Sequence, residues 1–232
     1  MDKSFNAGQA IQAVSVSSTK QLCAIACGSY VQVIRIDGDE LQSHCNLGSN
    51  SSGRSTFTTS DVAWSLYHPE RLAASATNGS VVVFNVDYTN SGSTNKSSRT
   101  WESVDEASRA VHKVSWHPSE HNILASACQD GTVKIFDIRQ EASTSTTQIL
   151  SSRADATRDV QFDPYHSYIV AAVFENGSLC IWDRRKNQNQ KNPSDDKDKG
   201  HTAMFKIAAH TNSTLAIAFC PTKEWVLATG SR

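Results

Sequence analysis

Apolar and polar positions along this chain fall into a repeating pattern, clearest in Val111–Arg139. Its first piece, Val111-His112-Lys113-Val114-Ser115-Trp116, alternates apolar and polar near its end, as a half-buried strand does. His117-Pro118 interrupts it, because proline gives a sheet no N–H and presets a turn. Ile123–Cys128 is a run of small, mostly apolar residues. Asp130-Gly131 supplies a tight hairpin turn, and Thr132–Asp137 is β-branched and aromatic, as strands prefer.

The same order of pieces recurs. Ile11–Asp37 is a degenerate copy that lacks the proline turn and the closing aromatic. Ser60–Asp87 and Thr157–Arg185 are complete copies. A fifth begins with Leu215–Phe219, turns at Cys220-Pro221, continues as a strand over Trp225–Gly230 and stops at Arg232. The repeat cores therefore lie at about 11–37, 60–87, 111–139, 157–185 and 214–232. Further strands are expected near Leu41–Leu47, Arg99–Val104, Thr147–Leu150 and Met204–Ala208, with a flexible entry at 1–9.

Two landmarks keep the register. The turn prolines Pro69, Pro118, Pro164 and Pro221 are 49, 46 and 57 residues apart, and the hairpin glycines Gly79, Gly131 and Gly177 are 52 and 46 apart. The longest step holds the polar, low-complexity segment 186–200, read as a mobile loop. A unit of this length with three to four strands is the sequence signature of a β-propeller blade. One blade cannot bury both faces, so its neighbours must cover them and its strands read apolar on both sides. The expected fold class is all-β: a partial propeller of about four complete blades plus part of a fifth. The rest of the ring is expected outside this chain, and this piece alone is expected to be poorly soluble.

Composition narrows the function. The net charge of −1 gives no electrostatic footprint for nucleic acid, and no apolar run is long enough to span a bilayer. The N-terminus lacks the basic start and apolar core of a secretory signal. Of the six cysteines, Cys23, Cys27, Cys128 and Cys180 sit inside apolar strand patterns, and no C-x-x-C pair occurs, so buried reduced thiols are expected.

The third-strand ends Ile135-Phe136-Asp137, Ile181-Trp182-Asp183 and Phe84-Asn85, with the second strands Leu124-Ala125-Ser126 and Leu227-Ala228-Thr229-Gly230-Ser231, resemble the WD-repeat family from about residue 10 onward. In that family a Trp, a Ser/Thr, a hairpin-turn Asp and a His before strand one tie each blade together. The resemblance implies Phe84, Phe136, Trp182, Asp130 and His210 as structural anchors. The set is incomplete here. In the third copy Phe136 replaces the Trp and Ala107 falls near the His, and in the fourth Asn176 replaces the Asp. Several segments are similar to a WD-repeat subunit of the GATOR (SEA) complex. That implies a non-catalytic scaffold relaying amino-acid sufficiency to TOR complex 1, with other protein subunits as partners. It implies a cytoplasmic location, peripheral at the lysosomal or vacuolar membrane without insertion. The alternative is an adaptor of another assembly, a ubiquitin-ligase substrate receptor or a chromatin complex.

Catalytic and ligand-binding chemistry is weakly represented, and neither cofactor nor metal is expected. Gly48–Ser55 misses the phosphate-loop pattern by Arg54 in place of lysine and leads into a strand, so it reads as a serine loop. His117-x-x-x-His121 has zinc spacing but contains Pro118, and reads as a turn and a surface histidine. Asp195–Asp198 lacks the ligand alternation of a calcium loop, no G-x-S-x-G elbow occurs, and Arg184-Arg185-Lys186 reads as a solvated edge. The expected partner contacts lie where each first strand begins, at Asp61, His112, Arg158 and Leu215.

Overall fold

A computed structural model describes residues 4–38, 40–48, 58–87, 97–103, 109–152, 155–187 and 203–232. Ala107, the serine loop after Gly48, the acidic run Asp195–Asp198 and the polar segment beyond Asn187 lie outside the described residues. The chain divides into two units, Met1–Val114 and Ser115–Arg232.

The first unit holds two four-stranded antiparallel sheets. One comprises β1 (Ile11–Val16), β2 (Leu22–Cys27), β3 (Tyr30–Asp37) and β4 (Glu40–Leu47); the other β5 (Thr59–Trp64), β6 (Arg71–Ala76), β7 (Val81–Val86) and β8 (Ser97–Glu102). The unit boundary falls inside β9 (Val111–Trp116). Its sheet continues through β10 (Ile123–Cys128), β11 (Thr132–Asp137) and β12 (Thr146–Ser151). The second unit adds a sheet of β13 (Thr157–Phe162), β14 (Ile169–Phe174), β15 (Ser178–Asp183) and β16 (Phe205–Ala208). A two-stranded sheet of β17 (Thr214–Phe219) and β18 (Leu227–Ser231) follows. Every sheet is a simple meander, so the all-β, partial-propeller class expected from the repeats is the fold observed.

The second strands explain the small apolar runs. β10 and β14 are buried at all six positions, and β2 and β6 at five of six, because each is the inner layer of a stack covered on both faces. In the first unit Leu47 of one sheet packs with Val62, Leu72, Val82 and Phe84 of the next. In the second unit Leu150 packs with Val160, Val170, Cys180 and Trp182 in the same way. Phe84, Phe136 and Trp182 are all buried.

Turn chemistry repeats as closely as the strands do. Asn78, Asp130 and Asn176 each accept hydrogen bonds at Oδ1 from the backbone N–H and hydroxyl two residues on: Ser80 at 3.1 and 2.8 Å, Thr132 at 2.9 and 2.6 Å, Ser178 at 3.1 and 2.6 Å. The glycine between them adopts positive φ, at 91°, 83° and 83°. Asp130 thus holds its own hairpin.

Two strand expectations need correction. β8 starts and ends two residues before the stretch read as Arg99–Val104. In the fifth copy the strand begins at Leu227, not Trp225. Trp225 has φ of 60°, a left-handed conformation no strand can hold, and it belongs to the preceding turn.

Candidate interaction surface

The first strand of each sheet carries the candidate contacts, and its register decides where they sit. Pairing runs Ile11↔Cys27 then Ala13↔Ala26 in β1, and Thr59↔Ala76 then Asp61↔Ser75 in β5. β13 and β17 repeat it: Thr157↔Phe174 then Asp159↔Val173, and Thr214↔Ser231 then Ala216↔Gly230. Each strand therefore carries a bulge at its second residue, namely Gln12, Ser60, Arg158 and Leu215. A bulge re-aims the side chain it inserts.

This breaks the assumed equivalence of Asp61, His112, Arg158 and Leu215. The last three are second residues, whereas Asp61 is a third residue, and Ser60 is their counterpart. Asp61 is also 4 % exposed and fully engaged. It lies 3.0 Å from Lys113 Nζ and accepts the Val114 N–H at 3.1 Å. Burial raises its pKa above the ordinary carboxylate value, although Lys113 and the Val114 amide pull it down. Arg158 is half-buried and pairs with Glu175 at 2.7 Å, His112 is half-buried, and Leu215 is exposed.

Asp61 belongs to a ladder between first strands. Asp159, also a third residue, accepts Ile217 N–H at 3.0 Å, as Asp61 accepts Val114; the two amides are fourth residues of their strands. Fifth residues form another rung. Ser15 Oγ accepts Trp64 N–H at 3.0 Å, and Gln161 Oε1 accepts Phe219 N–H at 2.7 Å. Backbone amides that have no strand beside them are thus satisfied by the neighbouring repeat. The rungs connect residues 49 to 58 apart, so no local pattern announces them.

The turns after β5, β9 and β13 are each capped by the residue that follows the strand. Ser65 Oγ accepts His68 N–H at 3.2 Å, and Asp163 Oδ1 accepts Tyr165 and His166 N–H at 2.8 and 3.1 Å. His117 takes the same place: Nδ1 accepts Ser119 and Glu120 N–H at 3.2 and 2.8 Å. Only the neutral imidazole has that lone pair. His117 is 2 % exposed, its ring is 4.7 Å from that of Phe162, and Glu120 Oε1 is 3.1 Å from Nε2 but too bent for a hydrogen bond. Burial lowers its pKa to about 4, with the nearby Arg184 cation adding to the effect and Glu120 opposing it.

The consequence for stability has a definite sign. The unfolded chain binds a proton at His117 near pH 6.5 and the folded chain only near 4, so this contribution is complete above 6.5 and is lost as pH falls towards 4. Between pH 7 and 4.5 it should cost about 2–3 kcal/mol. His117→Asn keeps an acceptor at the cap and cannot titrate. Urea denaturation at the two pH values should show the acid loss shrinking by that amount in the variant; an unchanged loss would show that His117 does not carry it.

A cluster of exposed aromatic side chains occupies these turns in the second unit. Trp225 is 65 % exposed and its ring stacks on His166, with centroids 4.0 Å apart and planes at 26°. Tyr165, 42 % exposed, donates its hydroxyl to Pro221 O at 2.9 Å. His166 meets Tyr168 edge-on, and the Arg185 guanidinium lies 3.3 Å from the Tyr168 ring centroid. Arg185 itself is held by Asp183, through Nε at 3.0 Å and Nη2 at 2.8 Å. Asp137 and Arg139 repeat that fork. Sequence reasoning missed this platform because a tryptophan before an apolar run reads as the strand's first residue.

The remaining candidates sort simply. His210 Nε2 is 2.8 Å from Thr229 Oγ1, a contact between the residue types the WD-repeat network pairs. None of the six cysteines forms a disulfide. Burial raises the pKa of Cys23, Cys27 and Cys180 and pushes Cys128 up to about 11, so these thiols stay protonated at neutral pH. Among the described residues no three His, Cys, Asp or Glu side chains gather where they could hold a metal ion. No helix among them is long and apolar enough to cross a membrane.

Comparison with known proteins adds to this geometry. Residues 93–174 match the family described as the anaphase-promoting complex subunit 4 WD40 domain. The GATOR2 complex protein Wdr24 of Drosophila melanogaster is 34 % identical over 222 residues, and WDR24 of Danio rerio 31 % and of Homo sapiens 30 % over 220. Each alignment covers 95 % of this chain and 25 % of the relative, so the chain spans about a quarter of the curated relatives it matches. Among solved structures, a chain of a mitotic checkpoint complex crystal structure superposes with a TM-score of 0.74 over 99 % of this chain and 63 % of its own length. At 18 % identity that likeness shows the fold alone.

Proposed function

This chain is a WD-repeat protein that resembles GATOR2 complex protein WDR24, and from that premise we propose that it serves as a non-catalytic subunit of a GATOR2-type complex. In this reading it carries amino-acid sufficiency to TOR complex 1 and sits at the lysosomal or vacuolar surface through its partners. The observation that supports it best is the 34 % identity to the Drosophila protein across 95 % of the chain. The physical character of the surface agrees with it. Tyr165 and Trp225 are exposed and aromatic, with half-buried His166 stacked on the indole, and such side chains anchor protein partners with little loss of conformational entropy.

Affinity purification of the tagged full chain from its own cells, followed by mass spectrometry, tests the proposal. GATOR2-type subunits should co-purify, and TOR complex 1 output should lose its response to amino-acid withdrawal when the gene is deleted. Recovery of a cullin ligase or a chromatin assembly in their place would move the chain to another adaptor class and overturn the proposal.

A further inference from the structure

Asn78-Gly79 and Asn176-Gly177 are the two Asn-Gly pairs of this chain. Both stand at the same place, the hairpin between the second and third strands of a sheet, β6 to β7 and β14 to β15. The hairpin from β10 to β11 carries Asp130-Gly131 there instead. All three acceptor residues are exposed and each glycine beside them is buried. An amide followed by glycine has a chemistry of its own, and the turn bears on it.

Three features converge on the asparagine Cγ. The side chain folds forward, because Oδ1 of Asn78 and of Asn176 accepts the N–H two residues on, from Ser80 and Ser178, each at 3.1 Å. The carboxamide is thus drawn over the Asn–Gly peptide, whose nitrogen can close a small ring onto Cγ. Glycine has no Cβ to crowd that nitrogen, and it holds φ of 91° and 83° without steric cost. Finally, the Ser80 and Ser178 hydroxyls donate to the same Oδ1 at 2.8 and 2.6 Å. Negative charge develops on Oδ1 when nitrogen adds to Cγ, so the serine N–H and O–H are donors already in place for that oxyanion. One feature opposes these. Gly79 N–H donates to Ala76 O and Gly177 N–H to Phe174 O, each at 3.1 Å. The amide must leave that carbonyl before it loses its proton, which slows the reaction without blocking it at an exposed turn.

We propose that Asn78 and Asn176 are sites of spontaneous deamidation, and that the aspartates formed hold their turns as Asp130 holds its own. Base removes the glycine N–H proton, and the nitrogen forms a bond to Cγ. The Cγ–Nδ2 bond then breaks, and Nδ2 takes a proton from water and leaves as ammonia. Water adds to Cγ of the resulting succinimide, the N–Cγ bond breaks, and the glycine nitrogen regains its proton. Asparagine and water become aspartate and ammonia, with no oxidant or reductant. Opening at the main-chain carbonyl instead gives isoaspartate, which lengthens the backbone by a methylene.

The fold already contains the aspartate form. Asp130 Oδ1 accepts the Thr132 N–H and hydroxyl at 2.9 and 2.6 Å, the bonds that Asn78 and Asn176 make to their serines. A carboxylate is a stronger acceptor than an amide, so the turn keeps its cap after conversion. Conversion at both sites takes the formal net charge from −1 to −3. None of this depends on which complex the chain serves.

Peptide mapping by mass spectrometry of the full chain, incubated folded in mildly alkaline buffer, tests the proposal. Asn78 and Asn176 should become acids at least about tenfold faster than Asn85 and Asn122, where a β-branched residue follows and crowds the attacking nitrogen. More acidic species should appear on ion exchange over the same period. A variant carrying both Asn78→Asp and Asn176→Asp should form no such species through these positions and should keep the melting temperature of the parent. Conversion at Asn78 and Asn176 no faster than at Asn85 and Asn122 overturns the assignment of the sites. A double variant that melts lower overturns the claim that the turn keeps the product, and the mapping of the unsubstituted chain stands apart from how that variant folds.

Discussion

Trp182→Ala should destabilise the second unit by about 3–5 kcal/mol, the range found when a fully buried tryptophan is cut back to alanine. Trp182 has 0 % exposure and packs with Leu150, Val160, Val170, Ala172 and Phe174, its ring centroid 6.3 Å from that of Phe174. These neighbours come from two successive sheets, so the cavity cannot close by moving one strand. Trp182→Phe should cost much less, about 1–2 kcal/mol, because Phe84 and Phe136 fill the same place in other repeats. Urea denaturation followed by circular dichroism measures both. An alanine cost below about 1 kcal/mol would show that the indole is not the anchor of this sheet.

The blades were legible in the sequence because what defines them is local. A hairpin needs glycine at positive φ and a short side chain to cap it, and Asn78-Gly79-Ser80, Asp130-Gly131-Thr132 and Asn176-Gly177-Ser178 advertise both. The small apolar runs are the direct signature of strands buried on both faces. Features that depend on which strands become neighbours were not legible. Asp61 reads as a surface acid until Val114, 53 residues away, gives it an amide to satisfy. The bulge inserts a residue without altering composition, so the alternation that identifies the strand misplaces its second and third positions. His117 was recognisable as a turn residue, but the role of Nδ1 as the cap emerges only beside Ser65 and Asp163, which do the same work with different chemistry. Trp225 misled for a related reason: its place is set by the turn's closing hydrogen bond and by His166, not by its own preference for strands.

Gly177→Ala should cost about 2–6 kcal/mol, from backbone strain of about 1–3 and overpacking of about 1–3 acting together. Gly177 has φ of 83°, and an added Cβ would fall well inside contact distance of the His210 carbonyl oxygen and 2.9 Å from that of Asn212. Both are backbone atoms of the segment leading into β17. That segment is tied to the same glycine, whose carbonyl accepts Ala209 and His210 N–H at 3.0 and 3.1 Å. The methyl group would therefore separate the β14–β15 hairpin from the start of β17 and strain the contact of His210 with Thr229. Gly38→Ala is the control. Its φ is 50° and, among the described residues, nothing lies within 4 Å of an added Cβ, so only the left-handed penalty of about 1–2 kcal/mol remains. Amide exchange should localise the difference: in Gly177→Ala, protection falls first at residues 209–219, while in Gly38→Ala the second unit is unaffected. Equal costs at the two sites would mean that crowding at Gly177 is relieved by a shift of the β16–β17 connection, and that the hairpin does not set where the fifth repeat begins.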